Sequence, residues 1–426
     1  MNKNFLALGL AAALLAPQVA GAEGFAINEW SAEGVAMGGA RMFAEDDAAN
    51  VAYNPASITK VKGEVMKSSY TYLSPHGNYK LYDSNNDEIK GEPTHNKVHA
   101  GWAVGSYYVR QINDKEWFGI GAFPRFAMVS EFERASKAST NAFFSKLNGV
   151  SVTPTYAHKF DKKWSAAVGA EINYVGLELQ KNLVIPTAGV NGTTQIEGES
   201  YALGWNAATN YAFDDKNEIG VVYRSRIKHS LEADLKGYGT KSPASPLVGS
   251  NDVFGNAYGV VTLPDSWDIG YNHKFDKKTR LELKATRTNW STYDALNVYF
   301  DKSLVGIPGI AESSPSAKNW SNGWRYAIGL EHNFSDKYAA MAGFAFDESS
   351  IPHDGGDFMV PTGLRRTYSI GARYNDKKQT VAVALGWMDV GTLDFAGHPE
   401  KGDAYSSAHA YDSFTKIASI SYQRKF

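Results

Sequence analysis

The chain of 426 residues contains no cysteine. Disulfides and thiolate metal sites are thereby excluded, and stability has to come from packing and main-chain hydrogen bonds. An excess of one charge sign is also missing. Forty-three Lys and Arg stand against 45 Asp and Glu, a balance that points to neither nucleic acid nor an anionic surface as partner. Beyond the first fifteen residues no apolar run approaches the ~20 residues that a membrane-spanning helix needs, which excludes a helical membrane protein. Catalytic signatures are absent too. There is no Gly-x-Ser-x-Gly elbow, no His-Glu-x-x-His pair and no phosphate-binding glycine loop, so neither an enzyme nor a cofactor is expected.

What the chain does hold is 24 Tyr, 21 Phe, 10 Trp and 40 Gly at a mean hydropathy of −0.35. That combination suits a wall whose residues alternate between lipid and a polar interior. Lys3, the apolar run Phe5 to Leu15 and Ala20-Gly21-Ala22 read as a removable secretory leader over residues 1–22. Further along, a short turn recurs. It reads His158-Lys159-Phe160-Asp161-Lys162-Lys163, then Phe213-Asp214-Asp215-Lys216-Asn217, then His273-Lys274-Phe275-Asp276-Lys277-Lys278. It returns as His332-Asn333-Phe334-Ser335-Asp336-Lys337 and Tyr374-Asn375-Asp376-Lys377-Lys378. An aromatic followed by Asp, Asn and Lys is hairpin chemistry.

The flanks of these turns alternate with period two. Trp164, Ala166, Val168, Ala170, Ile172 and Tyr174 share one face, and Ser165, Ala167, Gly169, Glu171 and Asn173 the other. Tyr326, Ile328, Leu330, His332 and Phe334 likewise oppose Arg325, Ala327, Gly329, Glu331 and Asn333. One face toward lipid and one toward a lumen describes an all-β transmembrane β-barrel in a bacterial outer membrane. Polar stretches at roughly 75–94, 131–148, 181–198, 232–262, 301–322, 348–365 and 392–412 are expected to be long loops on the side opposite the short turns. Counting alternating segments from Glu64 onward gives about fourteen antiparallel strands, with 116–130 and 285–300 irregular. The C-terminal Phe426 suits recognition by barrel-assembly machinery.

Residues 23–62 show small residues and clustered glycine without alternation, so they are expected to lie inside the barrel 63–426 as a small helical plug. Phe25, Ile27, Trp30, Val35, Met37 and Phe43 require burial that a free tail would not provide. Asn54-Pro55 is expected to end a short helix, because the residue before Pro avoids helical geometry.

The block Gly24 to Gly34, Ala44-Glu45-Asp46-Asp47-Ala48 and Asn54-Pro55-Ala56 resembles, in order and spacing, the N-terminal hatch of the FadL family of long-chain fatty acid and aromatic hydrocarbon transporters. Similar blocks follow at Gly204-Trp205-Asn206-Ala207, Tyr223 to Lys228, Leu263-Pro264-Asp265-Ser266-Trp267, Asn319-Trp320 through Ala327, and Phe344 to Ser349. The resemblance implies a fourteen-stranded barrel closed by its hatch, passive uptake of a hydrophobic ligand through an outer groove and an inner pocket, and lateral release where the third strand kinks. Here that kink would fall near Gly119 to Glu131, at Gly119, Gly121 and Pro124, although Phe123-Pro124-Arg125-Phe126-Ala127 is less glycine-rich than the family's version.

A fatty acid requires an apolar pocket with one or two cations. Arg125, Arg224, Arg226, Lys318 and Arg325 are the candidates for its carboxylate, each weighed against an ordinary lumen charge. Phe25 and Trp30 are candidate pocket residues, and Asn54, Pro55, Ala56, Gly121 and Pro124 candidate hatch and gate residues. The alternatives are an aromatic hydrocarbon channel of the same family and a general diffusion porin, the latter opposed by the apolar plug. His76, His95, His99, His398 and His409 match no metal spacing and read as solvated loop residues. The expected partners are the hydrophobic ligand, membrane lipid and assembly machinery, with no nucleic acid and a monomeric state.

Overall fold

The computed structural model describes residues 24–91, 94–98, 100–185, 190–238, 253–301, 313–399 and 402–426. The leader reading over residues 1–22 and the loop residue His99 lie outside these. Among the described residues no helix is long and apolar enough to cross a membrane, and the chain crosses with strands instead.

Fourteen antiparallel strands close into a barrel. They are β1 Glu64–Tyr82, β2 Gly101–Gln111, β3 Glu116–Glu131, β4 Phe144–Lys159, β5 Trp164–Ile185 and β6 Val190–Ala212. Next comes β7, Asn217–Arg224 continued as Ile227–Tyr238, then β8, Val253–Leu263 continued as Ser266–Lys274. β9 is Thr279–Thr288 continued as Ala295–Phe300, and β10 is Ser313–Ala317 continued as Gly323–Asn333. β11 Tyr338–Asp347, β12 Arg365–Asn375, β13 Gln379–Val390 and β14 Ser407–Lys425 complete the wall. Short pieces Thr94–His95 and Leu393–Ala396 add to β1 and β14. Closure comes from β1 pairing with β14 from Val65↔Lys425 to Tyr82↔Ser407. Pairing the first strand with the last leaves neither as an edge in the hydrocarbon, where an unpaired amide is costly.

The recurring turns carry out the hairpin role their residues predict. Asp161 Oδ1 accepts the main-chain N–H of Lys163 at 2.7 Å and of Trp164 at 2.8 Å. Asp214, Asp276 and Asp376 repeat the arrangement, and Ser335 Oγ takes the same place in the fourth turn. These donors hold the carboxyls of Asp161, Asp276 and Asp376 below the ordinary aspartate range. Beside the turns, His158, His273 and His332 stack edge-on against Phe160, Phe275 and Phe334 with centroids 4.7–4.9 Å apart. These pairs line one rim of the apolar band.

The polar stretches are shorter as loops than their composition predicts. β1 continues through residues 75–82, β5 and β6 run to Ile185 and from Val190, and β7, β8, β10 and β14 also extend into the expected loops. Beyond the lipid both faces of a hairpin meet water, so the apolar alternation that marks a strand disappears while the ladder continues.

Residues 24–62 occupy the lumen. Ser31 caps helix α1, Ala32–Ala36, by accepting from Gly34 N–H at 3.1 Å. Helix α2, Asn50–Tyr53, stops at Asn54, whose side chain then caps the 3-10 helix Pro55–Lys60. Small residues let this segment press against the wall. A Cβ at Gly343 would stand 2.2 Å from the main chain at Met37 and Gly38, so that contact tolerates only glycine. A buried ion network binds the segment to four strands. Arg41 contacts Asp47 and Glu331 at 3.1 Å each, Lys67 contacts Glu33 at 2.8 Å and Asp47 at 2.9 Å, and Arg280 and Arg373 reach Glu331 at 2.9 and 2.7 Å. Burial disfavours the charge of Asp47, but Lys67 and Arg41 outweigh it and hold the carboxyl well below its ordinary range.

Candidate functional site: an aromatic cluster beside a break in the wall

Strands β9 and β10 are interrupted at the same height, over Asn289 to Asp294 and Lys318 to Asn322. The interruptions carry Trp290, Tyr293 and Trp320 into the interior, where Trp290 and Tyr293 each pack on Trp320 with centroids 5.1 and 5.0 Å apart. Phe25 sits among them. Its ring lies 4.7 Å from Trp290, 5.4 Å from Tyr293, 5.8 Å from Trp320 and 6.0 Å from Phe126. Met128, Leu147, Val175, Ile227 and Leu231 extend the same apolar cluster along the wall. Gly24 has φ +63°, and a Cβ there would fall 2.6 Å from Trp320 and 2.9 Å from Trp290, so the residue before Phe25 has to be glycine. Its carbonyl accepts from Arg365 Nη2 at 2.9 Å.

The wall next to this cluster is incomplete. β2 and β3 pair from Gln111↔Trp117 to Ser106↔Ala122, and there the ladder ends. Pro124 supplies no donor, and Arg125 bulges out of register with β4 between Pro124↔Val150 and Phe126↔Gly149. The freed edge of β3 is taken by the N-terminal segment. Ile27 N–H donates to the Arg125 carbonyl at 2.8 Å, Ala127 N–H donates to the Phe25 carbonyl at 2.9 Å, and Ala26 opposes Phe126. Trp30 Nε1 donates to the Pro124 carbonyl at 2.5 Å, its ring packs on Tyr53 and Phe123, and its own carbonyl accepts from Tyr107 Oη at 2.8 Å.

Gly119 and Gly121 do not break the strand, a correction to the sequence expectation. Both are paired with β2, as Gly119↔Val109 and Gly121↔Tyr107. A Cβ at Gly119 would meet Val51 at 2.8 Å and one at Gly121 would meet Val51 at 3.0 Å. Their lack of a side chain makes room for the lumenal segment, and the break begins beyond Ala122.

The five cations fall into different surroundings. Arg125 pairs with Glu171 at 2.8 Å and lies 5.0 Å from the Phe126 ring, beside the cluster. Lys318, two residues before Trp320, is buried in an ion pair with Asp357. Arg224 and Arg325 are remote from Phe25 in role. Arg224 pairs with Asp268 at 2.7 Å and donates to the Ala52 carbonyl. Arg325 reaches both oxygens of Asp347 at 2.7 Å and the Gly38 carbonyl at 3.0 Å. Arg226 is 61% exposed on the outer face, 3.2 Å from Asp265. Asn54 donates to Asn210 at 2.6 Å, and the Ala56 carbonyl accepts from Ser165, fixing the Asn54-Pro55-Ala56 turn to β5 and β6. Trp290, Tyr293, Trp320 and Arg365 were not among the sequence candidates. The usable signal was aromatic residues inside the irregular span 285–300 and next to Asn319.

His76 faces Asp412 at 3.7 Å and His409 faces Asp394 at 2.5 Å. Among the described residues no group of three His, Asp or Glu is arranged to hold a metal ion.

The fold and chain match known proteins over nearly their whole length. A FadL homologue of Pseudomonas aeruginosa superposes with a TM-score of 0.83 at 17% identity, over 95% of this chain and all of that one. The toluene transporter TodX of P. putida gives 0.71 at 16%, over 94% of this chain and 99% of that one. In sequence, the long-chain fatty acid transport protein of Escherichia coli K12 is 23% identical over 421 residues, covering 90% of this chain and 91% of that protein. Residues 13–423 match the family model described as outer membrane protein transport protein (OMPP1/FadL/TodX), and the chain belongs to that family of outer-membrane transporters of hydrophobic compounds.

Proposed function

We propose that the protein takes up hydrophobic small molecules passively, long-chain fatty acids first among them, by binding them in the aromatic cluster and releasing them sideways through the wall at β3. The observation that carries this reading is a shared element. Phe25 fills the centre of the aromatic cluster, and its own carbonyl together with the Ile27 N–H that follows it closes the β3 edge. A ligand that takes the place of the Phe25 ring therefore also withdraws the strand that seals the wall. Lys318, Arg365 and Arg125 are the cations nearest the cluster, and a carboxylate entering it would exchange with Asp357, the Gly24 carbonyl or Glu171. In this reading residues 23–62 act as a hatch, anchored at Asn54-Pro55-Ala56 and by the ion network, so that only its first few residues move.

A monoaromatic hydrocarbon is the second reading. It is favoured by one feature: Lys318 and Arg125 already sit in buried ion pairs, and an uncharged ligand leaves both intact. Equilibrium binding of oleate to delipidated protein, with toluene as competitor, separates the two. Saturable oleate binding that toluene does not displace supports the fatty acid. Saturable toluene binding without oleate binding moves the assignment to hydrocarbons, and neither binding would remove the cluster from the transport route.

A further inference from the structure

A second interruption of the wall lies between β6 and β7. Their ladder runs from Thr193↔Tyr238 to Glu199↔Glu232 and resumes only at Asn206↔Arg224. Residues 200–205 of β6 keep their partners on β5, and residues 227–231 of β7 keep theirs on β8, so the discontinuity is confined to one seam. At its lower end Ser225 stands in for the missing ladder: its N–H donates to the Trp205 carbonyl at 2.9 Å and its Oγ accepts from Trp205 N–H at 2.9 Å.

Outward, the seam is apolar on its β6 side, with Tyr201, Leu203 and Trp205, and polar on its β7 side, with Arg226, Lys228 and Ser230. Tyr174 and Tyr201 pair at 5.1 Å at its upper end, and Trp205, Tyr223 and Trp267 stack at 5.0 and 4.7 Å at its lower end. On the outside Leu203 and Tyr201 are 76% and 71% exposed, the two highest values among the described large apolar side chains in the wall. On the inside, Ile227 and Leu231 are members of the apolar cluster that holds Phe25 and Trp290, and Ala202 packs against it. Between the two sides is Gly204. A Cβ there would stand 2.9 and 3.0 Å from Cγ1 and Cδ1 of Ile227, so the Ile227 side chain lies directly over the Gly204 main chain. Irregular main chain at membrane depth is tolerated where it borders protein or a passage. Ile227 over Gly204, and the buried His229, whose Nε2 meets Asn173 Oδ1 at 2.8 Å, fill the seam between the aromatic cluster and the outer surface.

We infer that the β6–β7 seam is a second lateral portal, gated by Ile227, through which an apolar ligand passes between the aromatic cluster and the upper edge of the membrane. This rests on the reading that the cluster carries such a ligand.

The absence of native cysteine gives a clean background for the test. Continuing the register of the upper ladder sets Leu203 opposite Lys228 and Tyr201 opposite Ser230, with Lys228 and Ser230 also on the exposed face. The full-length double variants L203C/K228C and Y201C/S230C are bridged with a cleavable bifunctional thiol reagent. Bridging is verified by mass spectrometry of the linked peptides, with Y258C/Y299C across a paired ladder as control. Uptake of radiolabelled oleate and toluene by cells is then compared before bridging, after bridging and after reduction. Bridging either seam pair lowers uptake about twofold, the share expected when the seam and the still-open β3 route carry comparable flux, and reduction restores it. The control pair is unaffected, and Gly204→Phe, which fills the seam from inside, lowers uptake without any reagent. Unchanged uptake in the bridged seam variants and in Gly204→Phe would overturn the portal while leaving the proposed function standing. Loss of oleate and toluene binding in the unbridged wild-type protein would instead remove the reading beneath it.

Discussion

The barrel wall is broken twice, and the two breaks are closed by different means. At β2–β3 the missing ladder is replaced by main chain of the N-terminal segment, through Ile27 N–H to Arg125 and Ala127 N–H to Phe25. At β6–β7 it is replaced by one residue, Ser225, whose N–H and Oγ both bond to the Trp205 main chain, with the Ile227 side chain over Gly204. Main-chain closure ties the wall to the aromatic cluster, because Phe25 serves both. The β6–β7 closure uses no main chain of the N-terminal segment, and it meets the aromatic cluster only through side chains such as Ile227. In the proposed function the first break is the ligand-coupled exit, and in the further inference the second is a seam that opens when Ile227 turns aside.

The comparison holds only if the hatch beyond its first residues stays fixed, and the ion network tests that with the largest expected effect. Glu331 serves Arg41, Arg280 and Arg373. Glu331→Ala leaves three guanidiniums short of a buried partner, a loss of about 3–5 kcal/mol. Urea titration should show a lower midpoint, together with protease cleavage inside residues 24–62. An unchanged midpoint would mean that the network does not anchor the hatch.

A smaller effect separates the two breaks directly. Phe25→Ala removes four aromatic contacts, each worth roughly 0.5–1.5 kcal/mol. Hydrogen exchange should accelerate at the amides of Ile27 and Ala127 and stay as in wild type along residues 227–231. Equal acceleration at both places would mean that the breaks are one cooperative unit. Ser225→Ala should give the complementary pattern at about 1 kcal/mol, faster exchange at Trp205 with Ala127 unchanged.

Much of the barrel is legible in the chain itself. Alternation around the Phe-Asp-Lys turns marks the strands wherever lipid meets one face, and Phe25, Ile27 and Trp30 announce a segment that needs a lumen. The aromatic cluster is less legible, for a physical reason. Trp290, Tyr293 and Trp320 reach it because two strands leave the ladder, and a departure from periodicity does not say in which direction the side chains turn. Gly119 and Gly121 illustrate the opposite error. Glycine in a strand permits either a kink or a close neighbour, and only the position of Val51 shows that it is the neighbour. The cations are ambiguous in the same way, since Asp268 and Asp347 lie 44 and 22 residues from the arginines they neutralise.

The smallest predicted effect concerns the turns, which should respond to pH independently of both breaks. Asp161, Asp276 and Asp376 have their carboxyls lowered by main-chain N–H donors. Each therefore adds stability that is present above the unfolded-state value and is lost as pH falls through the folded one. Asp276→Asn should reduce the acid sensitivity of that turn, seen as exchange at Lys278 and Thr279 that changes less between neutral and acidic pH than in wild type. Equal pH dependence in variant and wild type would assign the acid response elsewhere.

The most direct measurement is hydrogen exchange at the amides of Ile27 and Ala127 during an oleate titration of the purified protein. If a ligand in the aromatic cluster displaces Phe25 and opens the β3 edge, exchange at both amides rises and saturates together with oleate binding. Saturable binding with unchanged exchange at these two positions would contradict the coupling between cluster and wall.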